Sequence, residues 1–390
     1  MFDEKLKQYA TPRQLEILDA IEKHGSQGKA AKALGIVRGT LFKSLQSVKK
    51  RAAKAGYSPE HDMTRTVPDG FLVRGVSTMY DKNGRIAAQW VKSAIDRERQ
   101  EAIMQEAFEA MAATLPRVEP SPEPTTDYDS KLMACYPIGD AHIGMYSWGE
   151  ETGEDWDLKI AERLHCTAMA HLVESAPNSE EATIINLGDW FHSDNMEGVT
   201  TRSGHVLDMD SRYAKMASVG IKIMRQCIES ALKKHKRVRV INATGNHDDT
   251  TSLMLSICLA NVYENEPRVT IETSPSAFHY FRHGKCLVGV HHGHSTKADR
   301  LPGVMATDRA KDWGESEFRY WWTGHVHHQS LKDYAGVTVE SFRVLAAKDA
   351  YAHWGGYRAP RDMKCIVLHA EFGEVARNTV NPQMVAHLIK

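Results

Sequence analysis

Gly245-Asn246-His247-Asp248 closes the run Val238-Arg239-Val240-Ile241-Asn242-Ala243-Thr244, and this junction decides the fold. The β-branched run reads as a strand. Glycine ends it, and the loop beyond presents an amide, an imidazole and a carboxylate at the carboxyl edge of a sheet, where α/β proteins place their sites. Four more strand ends repeat the pattern: Gly139-Asp140-Ala141-His142, Gly188-Asp189-Trp190-Phe191-His192, Gly324-His325-Val326-His327, and Cys286–Val290 running into His291-His292-Gly293-His294. Strands are predicted at 132–138, 182–187, 237–243, 268–272, 277–282, 285–290, 318–323, 337–344, 364–371 and 374–380. Helices are predicted at 158–174, 208–236 and 252–264. The alternation with a β-rich end predicts an α/β domain with two sheets sandwiched between helices.

The donors at these strand ends are carboxylate and amide oxygens and imidazole nitrogens, with no cysteine. That set suits Mn, Fe or Zn better than Ca or Mg, which take more oxygens. It is large enough for two ions. A pair about 3.5–4 Å apart can hold the attacking and leaving oxygens of an in-line displacement at phosphorus, so the pattern points to phosphoester hydrolysis.

A Gly-Asp or Asn-His pair alone is an ordinary turn; the order carries the inference. D-x-H, G-D, G-N-H-D, H-G-H and G-H-x-H, in that sequence, resemble the calcineurin-like metallophosphoesterase superfamily over residues 131–390. The resemblance implies a four-layer α-β-β-α sandwich and two divalent ions, Mn foremost, with Fe or Zn as alternatives. It implies that Asp140, His142 and His327 hold one ion, that Asn246, His292 and His325 hold the other, and that Asp189 bridges them. A hydroxide shared by the ions is the implied nucleophile, and His247 the general acid for the leaving oxygen. Asp248 is expected either to orient the His247 ring or to cap the helix starting near Thr250. Of the neighbouring histidines, the family pattern selects His292 over His291 and leaves His294 to contact substrate or the metal shell. His192 is expected to line the phosphate pocket, and the loop bearing Asp194, Asn195, Arg202 and His205 to lie over the site.

The amino-terminal end has a different character. Residues 1–57 hold 12 Lys/Arg against 5 Asp/Glu, while the whole 390-residue chain has a net charge of −1. A basic end within a near-neutral chain points to an acidic partner. Thr11-Pro12 opens a helix that stops at His24-Gly25. A second helix follows Ser26, and a third, 38–55, is basic. Two helices joined by a Gly-bearing turn read as a helix-turn-helix, and the A-A-x-x-L-G-I spacing at Ala30–Ile36 resembles such domains of small terminase subunits and response regulators. Arg38, Gly39, Thr40 and Lys43 are expected to meet base edges. Lys49, Lys50, Arg51 and Lys54 are expected to follow phosphates. The alternative is a three-helix bundle whose basic face contacts protein.

Asn83-Gly84 between two β-prone runs predicts a hairpin, followed by a helix over 93–115 whose apolar stripe offers a contact for a second copy of the chain. The proline-spaced stretch 116–130 reads as an extended, solvated linker. The expected divisions are thus a helix-turn-helix at 1–57, a hairpin and helix at 58–115, the linker at 116–130 and the phosphoesterase domain at 131–390. The acidic run 149–157 reads as a solvated face, with Asp157 capping helix 158–174.

Six scattered cysteines look like reduced core residues, no apolar run is long enough to span a bilayer, and residues 1–5 do not resemble a signal peptide, so a cytoplasmic protein is expected. A basic module tethered to a two-metal hydrolase suggests a DNase, and Gly-Asp-Trp-Phe-His resembles the repair-exonuclease branch, in an arrangement reminiscent of bacteriophage proteins. Two other readings remain open: a small-molecule phosphodiesterase or nucleotidase localised by the basic module, and a DNA-binding adaptor with a relic metal site.

Overall fold

A computed structural model of the chain describes residues 3–58, 63–64, 67, 71–81, 83, 86–95, 117–201 and 203–388. The chain forms two compact units, Met1–Ala107 and Phe108–Lys390.

In the first unit, α1 (Pro12–His24) starts at a capping box between Thr11 and Gln14 and stops at Gly25, which is left-handed at φ 65°. The side chain of Ser26 caps α2 (Gln27–Ala33), and α3 (Arg38–Lys54) follows a turn in which Gly35 takes φ 64°. Leu18, Ala30, Leu41, Leu45 and Val48 meet in one small core. A minimal pair β1 (Tyr57–Ser58) and β2 (Met63–Thr64) precedes an antiparallel hairpin of β3 (Phe71–Tyr80) and β4 (Ile86–Ile95). The helix expected from Ser93 does not begin there, because Ser93 and Ala94 still pair with Val73 and Leu72 across the ladder. The rest of that helix, and with it the expected contact for a second copy, falls at 96–115, outside the described residues.

The second unit corrects the linker. Val118 donates its N–H to the Val262 carbonyl at 2.8 Å, and Ser121 donates its N–H and hydroxyl to Glu266 Oε2, each at 2.7 Å. The prolines keep the segment extended and most of 119–127 is exposed, but it is also docked at Val118 and Ser121, because Glu266 is buried and a buried carboxylate needs donors.

A six-stranded sheet runs in the order β15 (Gly373–Val380), β14 (Met363–His369), β5 (Asp129–Ile138), β6 (Ser179–Asn186), β7 (Arg237–Asn242), β8 (Val269–Ile271), with β5 to β8 parallel. A five-stranded sheet runs β12 (Ser330–Tyr334), β13 (Val337–Ser341), β11 (Phe318–Thr323), β10 (Cys286–Val290), β9 (His279–His283), with its three central strands parallel. Between β5 and β6 the acidic run holds a single helical turn, α4 (Gly149–Thr152).

Strict alternation along the strands builds three cores and hence four layers. Ala134, Tyr136 and Ile138 of β5 face helices α5 (Leu158–Ser175), α6 (Tyr213–Leu232) and α7 (Thr251–Val262), while Met133 and Cys135 face the other sheet. Cys286, Val288 and Trp322 fill that middle core. Leu287 and Trp321, on the opposite face of the second sheet, meet Leu301 and Met305 of α8 (Leu301–Asp308) and Trp313 of α9 (Ala310–Glu315). This is the expected α-β-β-α sandwich.

α8, α9 and β12 were not anticipated. β12 is exposed and polar, and only its ladder to β13 makes it a strand. α6 begins at Tyr213 rather than 208, because Asp208 and Asp210 brace other loops: the Asp208 carbonyl accepts from Tyr146 N–H and the Asp210 carboxylate from Leu158 N–H. Asp157 caps α5 as expected. The six cysteines are free and five of them are buried. Among the described residues no helix is long and apolar enough to cross a membrane.

Candidate metal centre and active site

Five strand ends converge. β5, β6 and β7 stop in step, with Leu187 N–H donating to the Ile138 carbonyl and Ala243 N–H to Asn186, each at 2.9 Å, so their following loops emerge side by side. β10 and β11 end opposite them, linked by Gly324 N–H to the His292 carbonyl at 2.9 Å. Turning the chain sharply enough to aim side chains inward forces unusual backbone. Among the described residues, the non-glycine positions with positive φ are Asp140, His142, Asp189, His325 and His327. All five are candidate ligands. Left-handed backbone at non-glycine residues costs of order 1–3 kcal/mol each and persists where a site over-determines it.

The glycines before the ligands have a separate reason. A Cβ on Gly245 would overlap the carboxylate and amide of Asp189, one on Gly188 would lie 2.5 Å from His292 Nδ1, and one on Gly324 would lie 2.5 Å from Asp140 Oδ2. Each glycine makes room for a ligand arriving from a different strand.

The expected ligands form two groups, and a third set of donors, His142, His192 and His247, also lies close enough together to share an ion. Asp140, His142 and His327 meet with His142 Nε2 3.2 Å from His327 Nε2 and Asp140 Oδ1 3.4 Å from the latter. Asp189, His292 and His325 form the second group; His292 Nε2 lies 3.2 Å from Asp189 Oδ2 and 3.1 Å from Asn246 Oδ1. Donors about 2.1 Å from one ion at tetrahedral or octahedral angles lie roughly 3.0–3.4 Å apart, so these pairs have the spacing of ligands to one ion, and His325 has its donor within 4.8 Å of the rest of the second group. The charges agree. Asp140 and Asp189 are buried, and among the described residues their ion-pair partners are imidazoles alone, with no Lys or Arg. His292 donates Nδ1–H to the Leu187 carbonyl at 2.8 Å, which leaves Nε2 free to ligate. The residues present therefore fit two cations.

Burial and charge shift these groups apart. Burial pulls on His292, but Asp189 and Asp140 beside it push its ring up to about 10, and Asp140 likewise outweighs burial to raise His327. Burial would raise Asp189, yet His292 holds its carboxyl well below the usual range. His142 is depressed well below an ordinary imidazole by burial and by the neighbouring histidines. A cation and a proton thus compete for the same nitrogens.

His247 sits against both groups. Its N–H donates to Asp189 Oδ1 at 2.8 Å, its ring centroid is 4.8 Å from that of His142, and its Nδ1–H donates to the His192 carbonyl at 2.9 Å. That last bond leaves Nε2 as the working nitrogen.

The structure corrects Asp248. It does not orient the His247 ring; its carboxylate accepts from Gly245 N–H, Phe191 N–H and the Ser252 hydroxyl. It is fully buried, and burial, with Asp189 nearby, pushes it up to about 7. It staples the Gly245–Asp248 loop to the β6 loop and to the first turn of α7.

His192 is also corrected. At 1% exposure it cannot line a substrate pocket; its Nδ1 lies 3.2 Å from His142 Nδ1, so it backs a ligand, while its carbonyl orients His247. His291 points into the sheet, stacked on Phe278, and His294 lies half-buried with its ring 5.3 Å from His292. Asp194 is not over the site either. It caps α7 from a distance, accepting from Thr250 and Thr251 N–H at 2.8 and 2.7 Å. Asn195 braces its own loop through Val199 and Glu197, His205 N–H bonds Thr200, and Arg202 lies outside the described residues.

Sequence reasoning missed the His192 backing contact, the Leu187 carbonyl and the Asp194 cap. All three are long-range pairings that leave no local pattern.

In the first unit, Arg38, Gly39, Thr40 and Lys43 are exposed at the start of α3, with Lys50 and Lys54 further along, and Lys49 is half-buried. Arg51 is not available for phosphates. Its guanidinium donates Nε–H to the Tyr9 carbonyl at 2.8 Å and bonds Ser47 and Gln14, because an arginine folded over a small core satisfies groups that core leaves open.

No protein-family model and no curated protein sequence matches the chain. Solved structures similar to it include a novel archaeal phosphodiesterase (14% identity, 64% of this chain and 100% of that one, TM-score 0.32). A dimetal phosphatase from Danio rerio shows 8% identity over 65% of this chain and 99% of that one, TM-score 0.35. Zinc-complexed Vps29 from Entamoeba histolytica shows 12% identity over 64% of this chain and 98% of that one, TM-score 0.27. At such identities and scores these likenesses carry no argument about activity, which rests on the chain's own residues.

Proposed function

We propose that the second unit is a two-metal phosphodiesterase of the calcineurin-like kind that cuts DNA, and that the basic first unit delivers it there. The observation that carries the reading is the meeting of two donor groups, Asp140/His142/His327 and Asp189/His292/His325, each with two buried members and a more open histidine, with the His247 backbone bonded to Asp189.

Two divalent ions held by these groups supply Lewis acidity at phosphorus and a water acidic enough to react near neutral pH. The chain's own residues do the rest. Asp189 and Asn246 would supply oxygen donors to these ions, beside the imidazoles of His292 and His325. His247, its ring oriented by the His192 carbonyl through Nδ1, keeps Nε2 4.0 Å from Asp189 Oδ2, beside the donor groups, to protonate the leaving oxygen. The lysines and arginine exposed on α3 add affinity for the phosphate backbone, and tethering raises the local concentration of substrate. Manganese is the proposed ion, since the mixed oxygen and nitrogen set suits it, and the second unit's chemistry is proposed to act in the cytoplasm.

The test is an assay of the full chain with added Mn on linear duplex DNA, single-stranded DNA and bis-p-nitrophenyl phosphate, beside Asp189→Asn. Cutting of DNA that vanishes in the variant supports the reading. Hydrolysis of the small diester alone moves the function to a small-molecule phosphodiesterase.

A further inference from the structure

A cleft of about 240 Å³ opens where β10 and β11 end, and Gly293 and Gly324 line its inner part. None of the candidate ligands lines the cleft, but a Cβ on Gly324 would lie 2.5 Å from Asp140 Oδ2 and one on Gly293 3.5 Å from His325 Cβ, so the cleft starts beside the donor groups. Its walls carry Lys297, Lys332, Tyr334 and His328, and none of its lining residues is acidic. Both lysines are exposed, and neither is in an ion pair among the described residues. Lys332 Nζ sits 5.0 Å from the centre of the Tyr334 ring, which holds the ammonium against the wall.

The cleft beyond His142 is the converse: Tyr146, Trp148, Glu151 and Asp208 line it, with two carboxylates and no Lys or Arg. An anionic chain is attracted along one of these clefts and repelled by the other.

We propose that the lysine cleft is the subsite for the phosphate next to the scissile one on a polynucleotide strand. This rests on the nuclease reading above and names the part of the substrate that the metal ligands cannot hold. Ammonium groups facing one cleft with no carboxylate between them repel each other and are relieved by a shared anion. Pockets for drug-sized ligands run to roughly 300–1,000 Å³, so this smaller cleft takes a phosphate with the edge of its sugar rather than a whole nucleotide. The strand therefore continues from the centre over the β10 and β11 loops.

The test compares the full chain with its Lys297→Ala/Lys332→Ala variant, in Mn, hydrolysing bis-p-nitrophenyl phosphate, with an uncleavable phosphorothioate oligothymidylate as competitive inhibitor. Inhibition of this small ester reports occupancy of the site and is blind to DNA held on α3. The expected result is that the ratio of inhibitor Ki to ester KM rises about tenfold, with the salt slope of log Ki flattening by about 0.7 for each phosphate that the variant no longer neutralises. An unchanged ratio and slope overturns the proposal, as does failure of the oligonucleotide to inhibit the wild-type chain. Inhibition that falls in the variant, with no cutting of an unmodified oligonucleotide, sinks the nuclease reading and leaves the subsite standing.

Discussion

The backbone N–H of His247 donates to Asp189 Oδ1 at 2.8 Å, and the imidazole Nε2 of the same residue lies 4.0 Å from Asp189 Oδ2. The carboxylate proposed to bridge the ions is thus also the group that fixes the loop carrying the proposed acid. Position of ligand and position of acid are one geometric fact. Asp189→Asn keeps an oxygen for the His247 amide but loses the charge that holds two cations together. The expected outcome is a folded protein with at least one ion fewer per chain by elemental analysis and activity at background; a variant with two ions and full turnover refutes the bridging role.

His247→Ala is expected to retain bound metal and to lose about 10²–10⁴-fold in kcat on DNA, the usual worth of a positioned general acid. The loss should be much smaller on bis-p-nitrophenyl phosphate, whose leaving group departs without a proton. Equal losses on both substrates would show that His247 acts through the ligand groups instead.

Gly245→Ala tests the packing behind the site. The added methyl overlaps Asp189 itself, so either the loop moves or the ligand does. Overpacking typically costs about 1–3 kcal/mol. Activity should fall far more than stability, read as kcat beside a urea midpoint, because the displaced atoms are the ligand and the anchor of the acid.

The second unit should weaken on mild acidification. His165 and His235 are buried, and burial holds both rings down at about 4. Their unfolded value is 6.5, so below it the unfolded chain takes up protons that the folded one refuses. Stability is therefore full above pH 6.5 and falls as pH drops toward 4, by up to roughly 3 kcal/mol per ring. His235→Gln should flatten that fall in a urea midpoint series over pH 4.5 to 7, measured with chelator present so that metal release does not contribute.

Arg51 and its neighbours on α3 should separate. Arg51→Ala removes three internal hydrogen-bond partners and is expected to destabilise the first unit by about 1–3 kcal/mol. Arg38→Ala and Lys43→Ala, both exposed, should leave its melting temperature within a degree or two while weakening DNA binding and flattening its salt dependence. DNA binding that survives both exposed substitutions unchanged removes the delivery role of α3.

The amino-acid sequence by itself determined the strand ends and what they carry. Strands are read from local alternation and their ends from glycine, so Asp140, Asp189, Asn246 and His325 could each be placed at the carboxyl end of a strand from the chain alone. Helix caps were equally legible, Thr11-Pro12 and Asp157 among them, because a cap spans only three residues. Tertiary structure alone decided which neighbours those side chains meet. Asp248 looked like the partner of the adjacent His247, yet its three donors include Phe191, 57 positions away. His192 looked like a substrate contact and proved to stand behind His142. Arg51 looked like its exposed neighbours and folded over its own core. In each case residue type and spacing were readable, but the direction of the side chain depended on distant segments brought alongside only when the chain packed, and no local pattern records that.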